Sequence, residues 1–399
     1  MSLCFKMLDV VAKLEGVPIN KLRKSVKAGR TVLLRNEGRD IIPCAVGEHV
    51  STKVNANIGF SPIESSYNEE MRKAHAAVSA KADTLMDLSV GGETSKTRKT
   101  IMEKFPIPLG TVPIYQVFSE KHLDFTLENY LAEIERQARE GVDYMTIHAG
   151  ITNQCLKYAK SRIIKVTSRG GAFLASWMTK NKSENPLYTG FDDILEVLKP
   201  YGVTISLGDG MRPACIADAS DKAQFHELKV LGELTKRCQK AGVKVIVEGP
   251  GHIPLDQIEK NMKLQKKLCN RAPFYVLGPL VTDLGAGYDH ITAAIGGAVA
   301  GLYGADFLCY VTPSEHLGLP SVEDVYEGVM ATRVAAHAVD IVKLGRRDRD
   351  DMMSRARKKL DWDAMYGLAL DPNLGRKHKK PAKGKECSMC GKYCALKIY

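Results

Sequence analysis

The sequence predicts an α/β fold in which eight parallel strands and their helices close into a (β/α)8 barrel. Across residues 44–313, short β-rich runs that end in glycine or polar residues alternate with amphipathic helical stretches. This alternation over about 270 residues favours a closed barrel over an open doubly wound sheet. No glycine-rich dinucleotide-binding motif follows the first run, which also argues against the open sheet.

Nine runs compete for eight strand positions, so one run is expected to lie outside the barrel. The runs cover residues 53–59, 84–89, 110–115, 144–150, 164–170, 203–210, 243–249, 274–281 and 305–313. Polar side chains fall at or just past the carboxyl ends of these runs, namely Asn57, Asp87, Tyr115, His148, Arg169, Asp209, Glu248 and His316. In a barrel those ends converge, so the sequence predicts one shared polar site.

Four segments are predicted along the chain. Residues 1–43 form a short helical lead-in, residues 44–320 the barrel, and residues 321–375 a helical region with alternating charge. Residues 376–399 form a tail whose basic, glycine-containing part, residues 376–385, is expected to be mobile.

Composition excludes several classes of protein. Lysine and arginine exceed acidic residues by 57 to 46, which suits anionic small molecules, but the basic stretches lack the interleaved aromatics of a nucleic-acid-binding surface. Ten cysteines, most of them isolated, indicate a reducing cytoplasm rather than a secreted disulfide framework. The apolar stretch 291–311 is interpreted as a barrel helix followed by its strand, so no membrane association is expected.

The strongest chemical motif is Cys387-x2-Cys390-x3-Cys394. Three thiolates this close can bind one soft metal centre. A [4Fe–4S] cluster with three cysteine ligands leaves one iron open for the amino and carboxylate groups of S-adenosylmethionine. A zinc site with a fourth ligand such as His378, or a disulfide pair with a spare thiol, are the alternatives.

Two histidines follow strands and could reach a common point in the barrel. His252 ends Glu248-Gly-Pro-Gly-His252, and His316 ends Ser314-Glu-His316. Two imidazoles with open positions fit a mononuclear zinc or iron site. The alternative is that each is a hydrogen-bonded core histidine.

Two glycine and arginine segments also follow runs. Ser168-Arg169-Gly170-Gly171 and Asp209-Gly210-Met211-Arg212 would let backbone amides and a guanidinium approach an anion such as phosphate. Ordinary turn glycines beside a solvated arginine are the alternative.

Many ordered segments resemble one enzyme family over nearly the whole chain. They are TKVNANIG, MDLS, GTVPIYQ, MTIHAGI, SRGGAFLASWM, ENPLY, SLGDG, VEGPGHIPLDQIE, APFYVLGPLVTD, GYDHITAAIGGA, ADFLCYVTPSEHLGLP and CSMCGKYC. The chain thus resembles the phosphomethylpyrimidine synthase family, with its anaerobic paralogue 5-hydroxybenzimidazole synthase. The resemblance implies a barrel enzyme with a [4Fe–4S] cluster, S-adenosylmethionine, a reducing electron donor and a cluster-bearing tail that completes an active site in a homodimer.

The resemblance also implies the reaction and its residues. A radical lyase would convert 5-aminoimidazole ribotide to 4-amino-5-hydroxymethyl-2-methylpyrimidine phosphate for thiamine biosynthesis, with release of formate and carbon monoxide. Glu248 and His148 would be catalytic, His252 and His316 would bind zinc or another divalent metal, and Cys387, Cys390 and Cys394 would hold the cluster. The substrate-binding residues would be Asn57, Met86, Tyr115, His148, Ser168, Arg169, Gly170, Asp209, Gly210, Met211, Arg212, Glu248 and Tyr275.

Two other functions stay open from the sequence. Residues 211–214, 60–62 and 90–93 depart from the family's usual pattern, and such changes would suit the benzimidazole branch, which uses the same ribotide to make the lower ligand of cobamides. A catalytically silent protein that binds zinc or the ribotide is the third hypothesis.

Overall fold

The computed structural model describes residues 2–63, 66–121, 125–378 and 386–398 of the chain. A two-stranded antiparallel sheet precedes a closed barrel of eight parallel strands. The strands are β1 (Thr31–Leu34), β2 (Cys44–Gly47), β3 (Lys53–Ile58), β4 (Thr84–Asp87), β5 (Leu109–Thr111), β6 (Tyr144–Ile147), β7 (Thr204–Leu207), β8 (Val245–Gly249), β9 (Phe274–Leu277) and β10 (Phe307–Cys309). Strands β3 to β10 follow one another around the barrel, and β10 closes it against β3. The predicted (β/α)8 barrel is confirmed.

Helices connect and surround these strands. They are α1 (Ser2–Leu14), α2 (Ile19–Lys27), α3 (Tyr67–Ser79), α4 (Thr94–Lys104), α5 (Pro113–Lys121), α6 (Leu127–Glu140), α7 (Asn153–Tyr158), α8 (Arg169–Asn181), α9 (Pro186–Thr189), α10 (Phe191–Leu198), α11 (Lys222–Ala241), α12 (Leu255–Leu268), α13 (Asp289–Tyr303), α14 (Val322–Lys343), α15 (Asp348–Lys358), α16 (Trp362–Leu368), α17 (Pro372–His378) and α18 (Ala395–Ile398). The apolar stretch 291–311 contains most of α13 and all of β10, as predicted. No helix in the described part of the chain combines the length and apolar character that a membrane span needs.

One of the nine predicted strands is wrong. Residues 164–170 contain no strand in the described chain, and Arg169 begins α8 instead. The backbone amides of Ile163 and Ile164 donate to the Asp218 carboxylate at 3.0 and 2.9 Å, so a side chain replaces the partner strand. Ser168 then caps α8 by accepting from the amide of Gly171 at 3.2 Å. The expectation that one run lies outside the barrel is thereby confirmed.

Polar side chains cross the inside of the barrel and fix the floor of the site. The Tyr144 hydroxyl donates to Asn55 Oδ1 at 2.8 Å, and Asn55 Nδ2 donates to the Tyr275 hydroxyl at 2.7 Å. Gly110 makes room for the Tyr144 ring, since a Cβ there would lie 2.3 Å from Cζ. These bonds tie β3, β6 and β9 together in the barrel interior.

The lead-in is not wholly helical, because β1 and β2 pair within and just after it. Local periodicity did not predict β1, which contains β-branched and leucine residues, because its partner strand β2 is available only once the hairpin has formed. The lead-in lies across the amino-terminal ends of barrel strands. Lys53 Nζ contacts Glu15 at 2.7 Å, and the Asn36 amide donates to Asp143 at 2.8 Å. Lys244 Nζ donates to the Leu33 carbonyl at 3.0 Å.

The chain divides into two compact units, Met1–Val339 and Asp340–Tyr399. Within the second, Arg349 donates to the carbonyls of Leu368 and Ala369, both at 2.8 Å, which joins α15 to the end of α16. The four predicted segment boundaries stay predictions. Of the tail expected to be mobile, residues 379–385 lie outside the described residues, and residues 376–378 end α17.

Candidate active site

The carboxyl ends of the barrel strands, here called the mouth, surround a buried polar cavity of about 90 Å³. Its lining includes eight of the residues predicted to bind substrate: Asn57, Met86, Tyr115, His148, Asp209, Arg212, Glu248 and Tyr275. A second cavity of about 390 Å³ shares Asn57 and Leu88 with the first and also contains Arg169 and His316. Most of the residues predicted at the mouth are therefore brought together there.

Four other predicted residues do not line either cavity. The Ser168 hydroxyl lies 2.8 Å from His148 Nε2. Gly170 lets α8 approach the His148 ring, since a Cβ there would lie 2.5 Å from Cε1, and a Cβ on Gly210 would lie 2.0 Å from Ile151 Cδ1. Met211 is fully buried in a cluster with Ile151, so its side chain points away from the mouth. These four support the cavity wall.

Glu248 is the most perturbed carboxyl group that lines the first cavity. It ends β8, and the hydroxyls of Thr146 and Ser206 donate to its Oε1 at 2.7 and 2.5 Å. Burial, with the nearby Asp209 carboxylate, raises the pKa of Glu248 to about 7 despite these hydrogen bonds. A carboxyl with such a pKa can either donate or accept a proton near neutral pH.

Asp209 and Arg212 form an ion pair beside Glu248, with Arg212 Nη1 3.2 Å from Asp209 Oδ1. Asp209 Oδ2 is buried and has no hydrogen-bond partner among the described residues. Burial raises the pKa of Asp209, whereas the carboxylates of Asp209 and Glu248 favour the charged form of Arg212. The pair thus presents a guanidinium to the cavity.

Glu227 supports this ion pair from α11. Its Oε2 accepts from the amide of Met211 at 2.8 Å, which fixes the loop between Asp209 and Arg212. Burial and the Asp209 carboxylate raise the pKa of Glu227 well above its usual value. Burial behind the cavity thus favours the neutral form of Glu227.

His148 is kept as a neutral imidazole. Burial and the nearby Arg212 charge lower the pKa of His148 to about 3. Its Nε2 pairs with the Ser168 hydroxyl, and its buried Nδ1 has no partner within the described chain. A neutral ring can give or receive a hydrogen bond without carrying charge into the site.

An arginine and an asparagine lie where the two cavities meet. The Arg169 guanidinium lies 4.9 Å above the centre of the Tyr115 ring, and the side chain is exposed. Asn57 Nδ2 donates to Cys309 Sγ at 3.2 Å. A cation and an amide therefore flank the opening between the cavities.

The two predicted metal histidines face each other. His252 Nε2 and His316 Nε2 are 3.3 Å apart. The Nδ1 atoms contact carboxylates, at 2.7 Å to Asp283 for His252 and at 3.2 Å to Asp289 for His316. When Nδ1–H of each ring donates to its carboxylate, each Nε2 carries a lone pair, which is the tautomer of a histidine metal ligand. His316 also has a φ of 64°, a strained conformation for a residue with a Cβ.

The predicted cluster cysteines lie in a short turn. Cys387, Cys390 and Cys394 are free thiols, which is against the disulfide alternative, and Cys390 is exposed. The amide of Gly391 donates to the Cys387 carbonyl at 3.3 Å, and that of Tyr393 to the Cys390 carbonyl at 3.1 Å. Over the described residues, no group of three or more histidine, cysteine or acidic side chains is arranged to hold a metal. The ligand roles of the cysteines and histidines stay predictions.

Sequence reasoning missed the residues that orient the predicted ones. Thr146 lies in β6, two positions before His148, which directly follows the strand. Alternation along an extended chain puts the two on one face, a signal that the sequence could have provided. Asp283, Asp289 and Glu227 lie in loops or on helices, where no local pattern connects them to their partners.

A parallel barrel whose strand ends surround a polar pocket is the architecture of a barrel enzyme, and a three-cysteine motif suits an iron–sulfur cluster or a zinc site. The model of the Radical SAM ThiC family matches residues 2–399. This chain belongs to that family, and membership makes it an enzyme that uses S-adenosylmethionine and an iron–sulfur cluster. The interpretation as a catalytically silent binding protein is therefore not supported.

Curated relatives agree with the family assignment. Proteins named phosphomethylpyrimidine synthase from Thermoanaerobacter sp. (strain X514), Desulforudis audaxviator and Methanocaldococcus jannaschii are 51%, 52% and 52% identical to this chain. Each alignment covers 98% of this chain and 94% of the relative. Among solved structures, the Yersinia pestis dihydropteroate synthase aligns with a TM-score of 0.46 and 12% identity over 78% of this chain and 100% of that one.

Replacing Glu248 with Gln should stabilise the protein at pH 8 but not at pH 4.5. The pKa of the folded-state carboxyl is raised from 4.5 to about 7, so its stabilising contribution is complete below pH 4.5 and is lost as pH rises through 7. Glutamine does not ionise, and its Oε1 can still accept from Thr146 and Ser206. Urea denaturation at the two pH values should show a gain of about 1–3 kcal/mol confined to the higher pH.

The matched control is Glu233→Gln, which makes the same chemical change at an exposed position on α11. Its effect should be the same at both pH values. An equal effect of Glu248→Gln at pH 4.5 and pH 8 would contradict the assignment of a desolvated carboxyl at the mouth.

Proposed function

We propose that this enzyme converts 5-aminoimidazole ribotide to 4-amino-5-hydroxymethyl-2-methylpyrimidine phosphate in thiamine biosynthesis, with release of formate and carbon monoxide. The observation that carries the proposal is the identity of 50% or more, over 98% of the chain, to relatives named phosphomethylpyrimidine synthase. These names favour the pyrimidine product over the hydroxybenzimidazole alternative. The polar pocket at the mouth supports the same substrate class.

Arg212 and Arg169 are the proposed partners of the ribotide phosphate. Arg212 contacts Asp209 through Nη1, and a guanidinium has five donors in a planar fork that suits phosphate oxygens. Arg169 lies at the rim, over Tyr115.

The Asn57 amide, beside Cys309, is proposed to hydrogen-bond the heterocycle. Met86 and Tyr275 supply cavity wall, and Ser168, Gly170, Gly210 and Met211 are proposed to position the groups that contact the ligand.

Glu248 and His148 are the proposed catalytic residues. A carboxyl whose pKa is raised to about 7 can move a proton to or from the substrate at Oε1 or Oε2 near neutral pH. Neutral His148 can orient a polar substrate group, because Ser168 fixes its ring. His148 is only 2% exposed, and its burial limits the access of water to the ring.

The cysteine turn is proposed to hold the [4Fe–4S] cluster. Three free thiols at Cys387, Cys390 and Cys394 match the chemistry of thiolate ligation, and a spacing of two and three residues lets them approach one cluster. When bound, the cluster and S-adenosylmethionine supply a 5′-deoxyadenosyl radical. A reducing cytoplasm is proposed as well, because the described cysteines are free thiols. An external electron donor and a homodimer are proposed because the family resemblance implies them.

His252 and His316 are proposed to bind zinc or another divalent metal. Their Nε2 atoms lie 3.3 Å apart, and Asp283 and Asp289 contact the opposite ring nitrogens. This donor set fits a divalent ion with open positions for further ligands.

Cys390→Ala should abolish formation of 5′-deoxyadenosine, to below about one hundredth of the wild-type rate, because the cluster loses a ligand. The reconstituted protein would be assayed anaerobically with S-adenosylmethionine and a reductant. The thermal unfolding of the barrel should not change, since Cys390 is exposed in the second compact unit. Ser388→Ala, in the same turn, is the matched control and should stay active. Wild-type yield from Cys390→Ala would contradict the cluster assignment.

His252→Ala should lose the mononuclear metal while His378→Ala keeps it. Cluster-free protein would be loaded with zinc, dialysed and measured by elemental analysis. Removing one of two imidazoles should weaken zinc binding by at least about tenfold. Unchanged zinc in His252→Ala, or loss of zinc in His378→Ala, would count against this site and favour a zinc-binding tail.

A further inference from the structure

A cavity of about 760 Å³ lies at the opposite end of the barrel from the mouth. We call it the basal cavity and define it by Arg35, Lys199, Gln239, Lys244 and their neighbours. Lys244 precedes β8, and Gly202 lies just before β7, so these residues mark the amino-terminal ends of the strands. The lead-in supplies the facing wall from α2 and β1, including Lys27, Ala28, Gly29, Thr31, Val32 and Leu33.

The charged side chains that line the basal cavity are mostly cationic. Lys27, Arg35, Lys199 and Lys244 face a single acidic residue, Glu37, among the lining residues. Lys27 and Lys199 are exposed. Cations of this kind around a concave surface attract anions.

Arg35 is the strongest indication of a ligand. Its side chain is only 9% exposed, yet among the described residues its guanidinium has one side-chain partner, Glu37, at 3.5 Å. That distance exceeds a charge-assisted hydrogen bond, and the Glu37 side chain is 65% exposed. A buried guanidinium with five donors normally has close acceptors. Here its unmatched donors can be satisfied from the cavity that it lines.

A buried amide lies in the same wall. Gln239 Oε1 accepts from Asn270 at 2.9 Å, but Gln239 Nε2 is buried with no partner in the described part of the chain. It lies close to Gly29, where a Cβ would be 2.8 Å from Nε2. Lys244 Nζ contributes to the frame by donating to the carbonyls of Leu33 and Arg35 at 3.0 and 2.9 Å. The wall therefore has one buried donor, Gln239 Nε2, without an acceptor among the described residues.

Aliphatic residues form much of the remaining lining and select the class of ligand. Val26, Val32, Leu33, Val243 and Val245 provide aliphatic surface beside the cations. A guanidinium fork matches phosphate oxygens, while aliphatic walls accommodate an organic group. The volume lies in the range of small-molecule sites.

We propose that the basal cavity is a second ligand site, separate from the mouth, that binds a small organic phosphate ester through Arg35 with Lys199 and Lys27 at its rim. The site needs neither the cluster nor the ribotide pocket, so it is independent of the proposed function.

The test is calorimetric titration of phenyl phosphate into the full chain. Arg169→Ala and Arg212→Gln are combined as the background, so that phosphate binding at the mouth is suppressed. One molecule of phenyl phosphate should bind this background, and more tightly than inorganic phosphate because the apolar wall takes the ring. Adding Arg35→Gln should weaken binding at least about tenfold.

Exposed residues provide the controls. Lys199→Ala should weaken binding about two- to fivefold without affecting folding, because the side chain is at the surface. Lys240→Ala removes the same charge from the residue after Gln239, outside the cavity lining, and should have no effect. If Arg35→Gln unfolds, the affinity of the Lys199→Ala, Lys27→Ala double variant for phenyl phosphate replaces it as the test. The proposal would be overturned if phenyl phosphate does not bind the background protein. It would also be overturned if the Arg35 and Lys199 variants bind phenyl phosphate as tightly as the background does.

Discussion

The candidate active site depends on one constraint. Three ionisable groups, Asp209, Arg212 and Glu248, are buried together at the carboxyl ends of β7 and β8. In water these groups would be two carboxylates and one guanidinium at ordinary pKa values. Within the closed barrel, desolvation raises the pKa of Glu248 to about 7 and raises the pKa of Glu227, behind the pair, well above its usual value. Hydrogen bonds from the hydroxyls of Thr146 and Ser206 hold Glu248 in place, although desolvation disfavours its charged form. A site that favours a neutral carboxyl beside a cation suits an anionic ribotide whose rearrangement requires proton transfers.

The same barrel closure explains how distant parts of the sequence reach one place. His252 and His316 lie on different loops, yet their Nε2 atoms are 3.3 Å apart because β8 and β10 end at the same face. Asp283 and Asp289 then fix the two rings, and His316 adopts a φ of 64° in doing so. At the other end of the barrel, the lead-in closes over the strand starts and leaves the basal cavity. The candidate active site and the basal cavity thus lie at opposite ends of one barrel.

The sequence predicted much of this arrangement because strand ends carry a local signal. Polar residues after β-rich runs pointed to Asn57, His148 and Glu248, and the structure brings them to one cavity. Residues 164–170 look like a strand by composition, but the amides of Ile163 and Ile164, where the run begins, donate to the carboxylate of Asp218, which lies in a 3-10 turn distant in sequence. Pairing of β1 with β2 and the carboxylates behind each histidine depend on tertiary contacts that no local period encodes.

The most direct measurement is to identify the product of the anaerobic reaction by mass spectrometry. The reconstituted enzyme would be incubated with 5-aminoimidazole ribotide, S-adenosylmethionine and a reductant. We expect 4-amino-5-hydroxymethyl-2-methylpyrimidine phosphate, formed together with 5′-deoxyadenosine, formate and carbon monoxide. An unphosphorylated hydroxybenzimidazole would contradict the proposed product while keeping the radical chemistry, and ribotide recovered unchanged beside 5′-deoxyadenosine would contradict the proposed substrate.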